Sequence, residues 1–184
     1  MAVVITVAQQ KGGAGKSMLV ANLAAALTAI RRVAILDIDP QHSLARWHAI
    51  RLARPVAAPA LTFSDLSGWR LAGELERLRR EYDVVLIDSP PDIWAAEGTL
   101  RLAAEEKRPA CLILNRVSGG SRLRETTDHE LRTRGLAVLP AALGNRAAFS
   151  HAFAEGLGVT EFAPRSQAAT ELRALLGAIL TMIK

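Results

Sequence analysis

Residues 9–17 read Gln9-Gln10-Lys11-Gly12-Gly13-Ala14-Gly15-Lys16-Ser17, and their neighbours decide how they fold. Upstream, Met1 to Gln10 (MAVVITVAQQ) is a short β-branched apolar run that turns polar. Downstream, apolar residues recur at helical spacing through Leu19, Val20, Leu23, Leu27 and Ile30. The order is strand, glycine loop, helix. Gly12, Gly13 and Gly15 let the backbone curl with its N–H groups inward, and the helix adds the positive end of its dipole, so the loop suits an anion. Gly-x-x-x-x-Gly-Lys-Ser/Thr is the pattern that cradles nucleotide phosphates, with Lys16 on the β- and γ-phosphates and the Ser17 hydroxyl on magnesium. Gln10 occupies the place of the usual first glycine, and Lys11 is a second loop cation to which the general pattern assigns nothing.

Composition narrows the class. A chain of 184 residues, 50% hydrophobic, can bury a core without staples, and no linker or repeat divides it, so a single domain over residues 1–184 is expected. The one cysteine, Cys111, sits in the apolar run CLILN and reads as a buried strand residue; it rules out a disulfide framework within the chain, argues against an iron–sulfur cluster and favours a cytoplasmic location. No apolar run is long enough to span a membrane, and the first residues read as a strand instead of a signal peptide. The net charge is +5, and all cations apart from Lys11, Lys16, Lys107 and Lys184 are arginine, a balance that attracts nucleic acid or anionic lipid.

Further buried strands are expected at Arg32–Asp37 (RVAILD), Tyr82–Asp88 (YDVVLID) and Ala110–Asn115, with a short edge strand at Ala60–Phe63 and a last short strand at Val138 and Leu139. Helices are expected at His42–Arg51, Leu71–Tyr82, Ile93–Lys107, Arg122–Arg134 and Ala168–Ile183. Continuous apolar strands alternating with helices predict an α/β fold, a mostly parallel twisted sheet covered on both faces, which binds ligands at the carboxyl ends of its strands. Asp37, Asp39 and Asp88 all fall on that rim. Asp88 after VVLI has the apolar-run-then-acid form of a magnesium-associated carboxylate, Asp37 could help fix the hydrated metal, and Asp39 could orient an attacking water. Strand-end acids also cap helices or face solvent, but three on one rim beside such a loop favour the metal and water roles.

In KGGAGKS (Lys11–Ser17), LDIDPQ (Leu36–Gln41), YDVVLIDSPP (Tyr82–Pro91), LILNRV (Leu112–Val117) and the block from Pro140 through NRAAF (Asn145–Phe149) to the final helix, the sequence resembles the ParA/MinD family of deviant P-loop ATPases. Within that family it is similar to the small ParA-type proteins that partition plasmids, chromosomes or large cytoplasmic assemblies. The blocks span nearly the whole chain. The resemblance implies ATP and Mg²⁺ as cofactors, with Gly12, Gly13, Ala14, Gly15, Lys16, Ser17 and Met18 around the phosphates. It implies that Lys11 reaches across a dimer interface to the partner's ATP while Lys16 serves its own, which makes Lys11, Lys16 and Asp39 the catalytic set. Ser17, Asp37 and Asp88 are then the metal side. Asn115 matches the adenine-binding position, Arg116 and the loop after Pro140 line the same pocket, and Arg146 and Phe149 match a loop that responds to nucleotide.

Two departures stand out. Met18 replaces the usual second hydroxyl residue, leaving one nucleotide contact to the backbone. SPPDIWAAEGTL runs from Ser89 straight into a helix where relatives carry a further strand beside the glycine-loop strand, so one strand fewer is expected, with a groove or unpaired edge in its place. Three functions are expected in order. The first is a nucleoid-associated partition ATPase that dimerises on ATP, binds DNA without sequence preference and is stimulated by a ParB-like or cargo adaptor protein. The second is a MinD-like membrane-surface ATPase, disfavoured because ELRALLGAILTMIK carries few cations. The third is a nucleotide-binding scaffold with impaired hydrolysis. For DNA, Arg122, Arg124, Arg132 and Arg134 could form a basic stripe, or a solvated helix face balancing Glu125, Asp128 and Glu130.

Overall fold

The structure is a computed structural model that describes residues 2–8, 13, 15–55, 58–66, 70–89, 103–107, 109–118 and 121–183, with the side chains of 121–124 and 127 not described. Lys11, Gly12 and Ala14, most of the helix expected from Ile93, and the side chains of Arg122 and Arg124 therefore lie outside the described residues.

In chain order the elements are β1 (Val3–Val7), α1 (Lys16–Leu27), β2 (Val33–Asp37), α2 (Ser43–Leu52), β3 (Thr62–Asp65), α3 (Leu71–Glu81), β4 (Val84–Asp88), α4 (Ser121–Thr133), α5 (Ala147–Ala154), α6 (Val159–Phe162) and α7 (Gln167–Met182). The four strands form one sheet in the order β1-β4-β2-β3, and every pairing is parallel. VAILD and VVLID are buried at every residue, as continuous apolar runs in a parallel sheet must be, and they hold the centre. Period-two alternation divides them between two cores. Val33, Ile35, Val84 and Leu86 face a large cluster with α1 and α7, whereas Ala34, Leu36, Val85 and Ile87 face Leu78 of α3. The apolar face of α7 (Ala168, Ala169, Leu172, Leu175, Ile179) is spent in the larger cluster.

Three expectations change. Ala110–Asn115 and Val138–Leu139 are not strands of the sheet; they pair with each other through one parallel bridge at Leu112–Val138, and a second parallel bridge, Val117–Gly144, follows just beyond them. Leu112 N–H donates to Ala137 O at 2.7 Å and Leu139 N–H to Leu112 O at 2.9 Å, so these two runs satisfy their own backbone. Consistently, β1 has β4 on one side and no second hydrogen-bonded strand among the described residues, and its burial alternates where β2 and β4 are uniformly buried. The segment directly after Pro91, from which a groove or unpaired edge is expected, lies outside the described residues. Cys111 is accordingly half-buried and outside a strand, with its thiol pKa raised by burial. Ile30 lies beyond the end of α1 and is 54% exposed, because the helix stops at Leu27 with Thr28 as its cap. The edge strand exists two residues later than expected, at Thr62–Asp65.

One contact far from the glycine loop ties α2 to α6. Arg51, whose side chain is 3% exposed, donates to both carboxylate oxygens of Glu161 (2.9 and 2.8 Å), to Gly156 O (3.1 Å) and to Pro59 O (3.0 Å), and lies 5.4 Å from the Trp47 ring centroid. Beside it Gly156 has φ +69, and a Cβ there would stand 2.4 Å from Arg51 N. Removing one partner of such a pair leaves a buried charge and two carbonyls unsatisfied. Arg51→Ala should therefore cost about 3–5 kcal/mol in urea unfolding. The Arg51→Met/Glu161→Leu double variant should recover much of that loss; a single-variant loss below about 1 kcal/mol would show that solvent replaces the pair.

Candidate functional site

The site is built where β2 and β4 end. Asp37 and Asp88 are the last residues of the two strands and are register partners. Lys16 is the first residue of α1, entered from Gly13 (φ +78) and Gly15 (φ +87), left-handed conformations that glycine adopts without penalty. Its side chain is 3% exposed, and Nζ donates to Asp39 Oδ2 at 2.8 Å and to Asp88 Oδ1 at 2.7 Å. The turn after β2 is closed by its own acids: Asp39 N–H donates to Asp37 Oδ1 and Gln41 N–H to Asp39 Oδ1, both at 3.0 Å. One ammonium thus serves two of three buried carboxylates, and the third, Asp37, is met by the Asp39 N–H.

The imbalance is visible in the protonation equilibria. Burial pushes Asp37 up to about 6, helped by the charges of Asp88, Asp65 and Asp39 and opposed by the Asp39 N–H. Burial also raises Asp88, although Lys16 and the adjacent Ser17 hydroxyl oppose it. Burial would raise Asp39 too, but Lys16 and the Gln41 N–H outweigh it and hold that carboxyl low. Lys16 is desolvated, yet its two carboxylate partners raise its pKa above the usual value. Two buried oxygens, Asp37 Oδ2 and Asp88 Oδ2, accept no hydrogen bond. Uncompensated carboxylate oxygens on adjacent strands, beside a serine hydroxyl, are the hard donors a divalent cation takes. Among the described residues no group of three or more His, Cys, Asp or Glu side chains could hold a metal alone.

A cleft of about 100 Å³ adjoins the loop, lined by Gly15, Met18, Arg116, Gly144, Arg146 and Phe149 among others. Arg116, itself at φ +56, donates from Nη1 to Gly13 O at 2.8 Å, and its N–H donates to Asn115 Oδ1 at 2.9 Å. A Cβ on Gly15 would meet Asn115 Nδ2 at 3.2 Å, so the LILNR segment packs directly on the glycine loop. Of the expected site residues, Lys16, Ser17, Asp37, Asp39 and Asp88 meet on the rim, while Met18, Asn115 and Arg116 meet at the cleft side of the loop. Arg132 is engaged elsewhere, with Asp128 at 2.7 Å and Val138 O at 3.1 Å, and Arg134 is exposed after α4. Sequence reasoning missed Gly144 and Glu171. The Glu171 carboxylate accepts the Gly144 N–H at 3.0 Å from 27 positions away, a separation with no periodic signature.

Residues 5–159 match the profile described as the CobQ/CobB/MinD/ParA nucleotide binding domain. The chain is 26% identical over 208 aligned positions to maintenance of carboxysome distribution protein A of Halothiobacillus neapolitanus, covering 96% of this chain and 95% of that one. An alignment of 208 positions against 184 residues leaves at least two dozen positions of the relative without a counterpart here. The chain spans about half the length of other curated relatives that it matches. Among solved structures, the Pyrococcus furiosus cell division ATPase MinD superposes with TM-score 0.73 at 18% identity, over 98% of this chain and 99% of that one. An ATP complex of a Cyanothece McdA variant superposes with TM-score 0.67 at 17% identity, over 96% and 95%. At these identities the likeness establishes the fold.

Because the folded pKa of Asp37 is about 6 against an ordinary 3.8, the folded protein keeps that proton where the unfolded chain has already lost it. The destabilisation is absent below about pH 4 and complete above about pH 6, with an upper bound on the order of 3 kcal/mol. Asp37→Asn keeps the acceptor for Asp39 N–H. Without divalent cation it should be more stable than wild type by roughly 1–3 kcal/mol at pH 7.5, and the gap should close toward pH 4. Denaturant titrations at both pH values measure it; a gap independent of pH would mean that Asp37 ionises freely in the fold.

Proposed function

This chain belongs to the CobQ/CobB/MinD/ParA nucleotide-binding family, and from that premise we propose that it is a partition-type ATPase that binds ATP with Mg²⁺ and works as an ATP-dependent dimer on DNA. The observation that carries the reading is the rim itself: a buried Lys16 held between Asp39 and Asp88, next to two carboxylate oxygens that have no partner. A phosphate entering the loop competes with both acids for the Lys16 ammonium. Lys16 then moves to the β- and γ-phosphates and Asp39 is released, free to orient a water. Ser17, Asp37 and Asp88 would hold the magnesium, which when bound supplies charge that offsets the phosphates. Gly12, Gly13, Ala14, Gly15 and Met18 would line the phosphates, and Asn115 with Arg116 the adenine side. Basal hydrolysis is slow on this reading, because Asp39 alone stands in for a general base.

The remaining elements rest on the family and on the relatives' names. Lys11 would reach the partner subunit's ATP, so that nucleotide state is read out as dimerisation. Arg122, Arg124, Arg132 and Arg134 would meet DNA phosphates, with Arg132 leaving Asp128 to do so. A ParB-like or cargo adaptor protein would stimulate hydrolysis, and the protein would sit on the nucleoid in the cytoplasm, positioning a plasmid, a chromosome or a large assembly such as a carboxysome. The burial of the apolar face of α7 favours this over a MinD-like membrane reading, which needs such a face free. A β1 edge with no second strand among the described residues is what would favour a scaffold with impaired hydrolysis, and phosphate release decides that point.

Lys16→Ala should abolish ATP binding, whereas Asp39→Ala should bind ATP with near wild-type affinity and lose at least about tenfold in phosphate release. Unchanged release in the Asp39 variant would remove that residue from the chemistry. Lys11→Ala should bind a nonhydrolysable ATP analogue as a monomer by light scattering, and lose ATP-dependent retention on DNA with it. Wild-type dimerisation and DNA retention in that variant would reduce Lys11 to an ordinary loop cation.

A further inference from the structure

The cleft beside the glycine loop has two guanidinium walls, and the structure treats them differently. Arg116 is committed through Nη1 to Gly13 O at 2.8 Å. Arg146, which also lines the cleft, is held by α7: Glu171 accepts its Nε at 3.0 and 2.9 Å and its Nη2 at 2.5 Å, and accepts the Gly144 N–H at 3.0 Å. Gly144 is part of the clamp. A Cβ there would lie 3.1 Å from Arg146 Nε, so its absence gives the guanidinium room to lie across the turn. Arg146 holds the Glu171 pKa low, so the carboxylate is charged at neutral pH.

Resting on the nucleotide reading above, we propose that Glu171 is the residue that sets purine selection, by taking the donors of Arg146 away from the base. The chemistry is one of matching donors and acceptors. Guanine offers O6 and N7 as adjacent acceptors, which arginine engages bidentately, whereas adenine places an amino donor beside N7. An unpaired arginine on the cleft wall rewards guanine and opposes the adenine amino group. Pairing Nε and Nη2 with a carboxylate in fork geometry consumes the donors that guanine would use and fixes the side chain in plane. The same carboxylate, through the Gly144 N–H, fixes the turn that carries Arg146. Glu171 touches no nucleotide on this account; it is a positioning residue whose effect passes through Arg146.

A structural tether alone would change stability or overall affinity and leave discrimination between purines untouched, so the ratio of affinities is the readout. The full-length protein with Mg²⁺ is titrated with N-methylanthraniloyl derivatives of ATP and GTP by fluorescence. Glu171→Gln keeps an acceptor for the Gly144 N–H but loses the charge, and Glu171→Ala serves as a second variant if the first misfolds, with folding followed by circular dichroism. Wild type should prefer ATP. Either Glu171 variant should raise GTP affinity relative to ATP by about tenfold, and adding Arg146→Ala should return the ratio to within about twofold of wild type. A folded Glu171 variant with the wild-type ratio, or a raised ratio that persists without Arg146, overturns the inference alone. So does a wild type that binds both purines equally. A wild type that binds neither nucleotide overturns the nucleotide reading as well.

Discussion

A single buried ammonium shared between two carboxylates, with a third buried acid beside them, is the constraint around which this molecule is arranged. Lys16 reaches Asp39 and Asp88 together because β2 and β4 are neighbours in parallel register and because α1 is entered through the left-handed Gly13 and Gly15. The central strands must then be apolar along their whole length until their last residue, because they are covered on both faces. Their final acids carry charge into a place where it is costly, and the displaced pKa of Asp37 is the measure of that cost. Two of these carboxylate oxygens accept no hydrogen bond from the described residues, and an acceptor in that state is one that a donor or a cation would satisfy.

Much of this was legible in the order of residues. Val33–Asp37 and Val84–Asp88 announce themselves as runs of β-branched and apolar residues ending in acid, and the glycine loop between an apolar strand and a helix announces an anion site. These are local signals, carried by periodicity and by backbone freedom. The stretch 110–117 misled because an apolar run has the same look whether it joins the main sheet or pairs with a separate segment; only the position of its partner, Val138, distinguishes the two. Arg51 with Glu161 and Glu171 with Arg146 were invisible for a different reason. Each pair brings together residues far apart in sequence, and a charged side chain in a helical stretch reads as solvated until its partner is placed.

The chain is shorter than the alignment to its carboxysome-distribution relative, and its first strand is less covered than the central pair. Val4 and Thr6 are exposed while Ile5 and Val7 still pack against α1's cluster, so among the described residues the strand that leads into the glycine loop is secured from one neighbour and one face. The loop is held more firmly from its far side, where Arg116 grips Gly13.

The helix α1 begins at Lys16 and is buried along most of its length, and at its middle Asn22 donates to Met18 O at 2.8 Å and accepts the Val159 N–H at 2.7 Å. Gly158 sits so close that a Cβ there would come within 2.5 Å of Ala25 Cβ. A rod pinned in this way, some 18 Å long by its helical rise, has little slack along its axis or across it. A charge that Lys16 carries at the head of this helix can therefore be redirected only by its own side chain, with the body of the helix acting as the anvil.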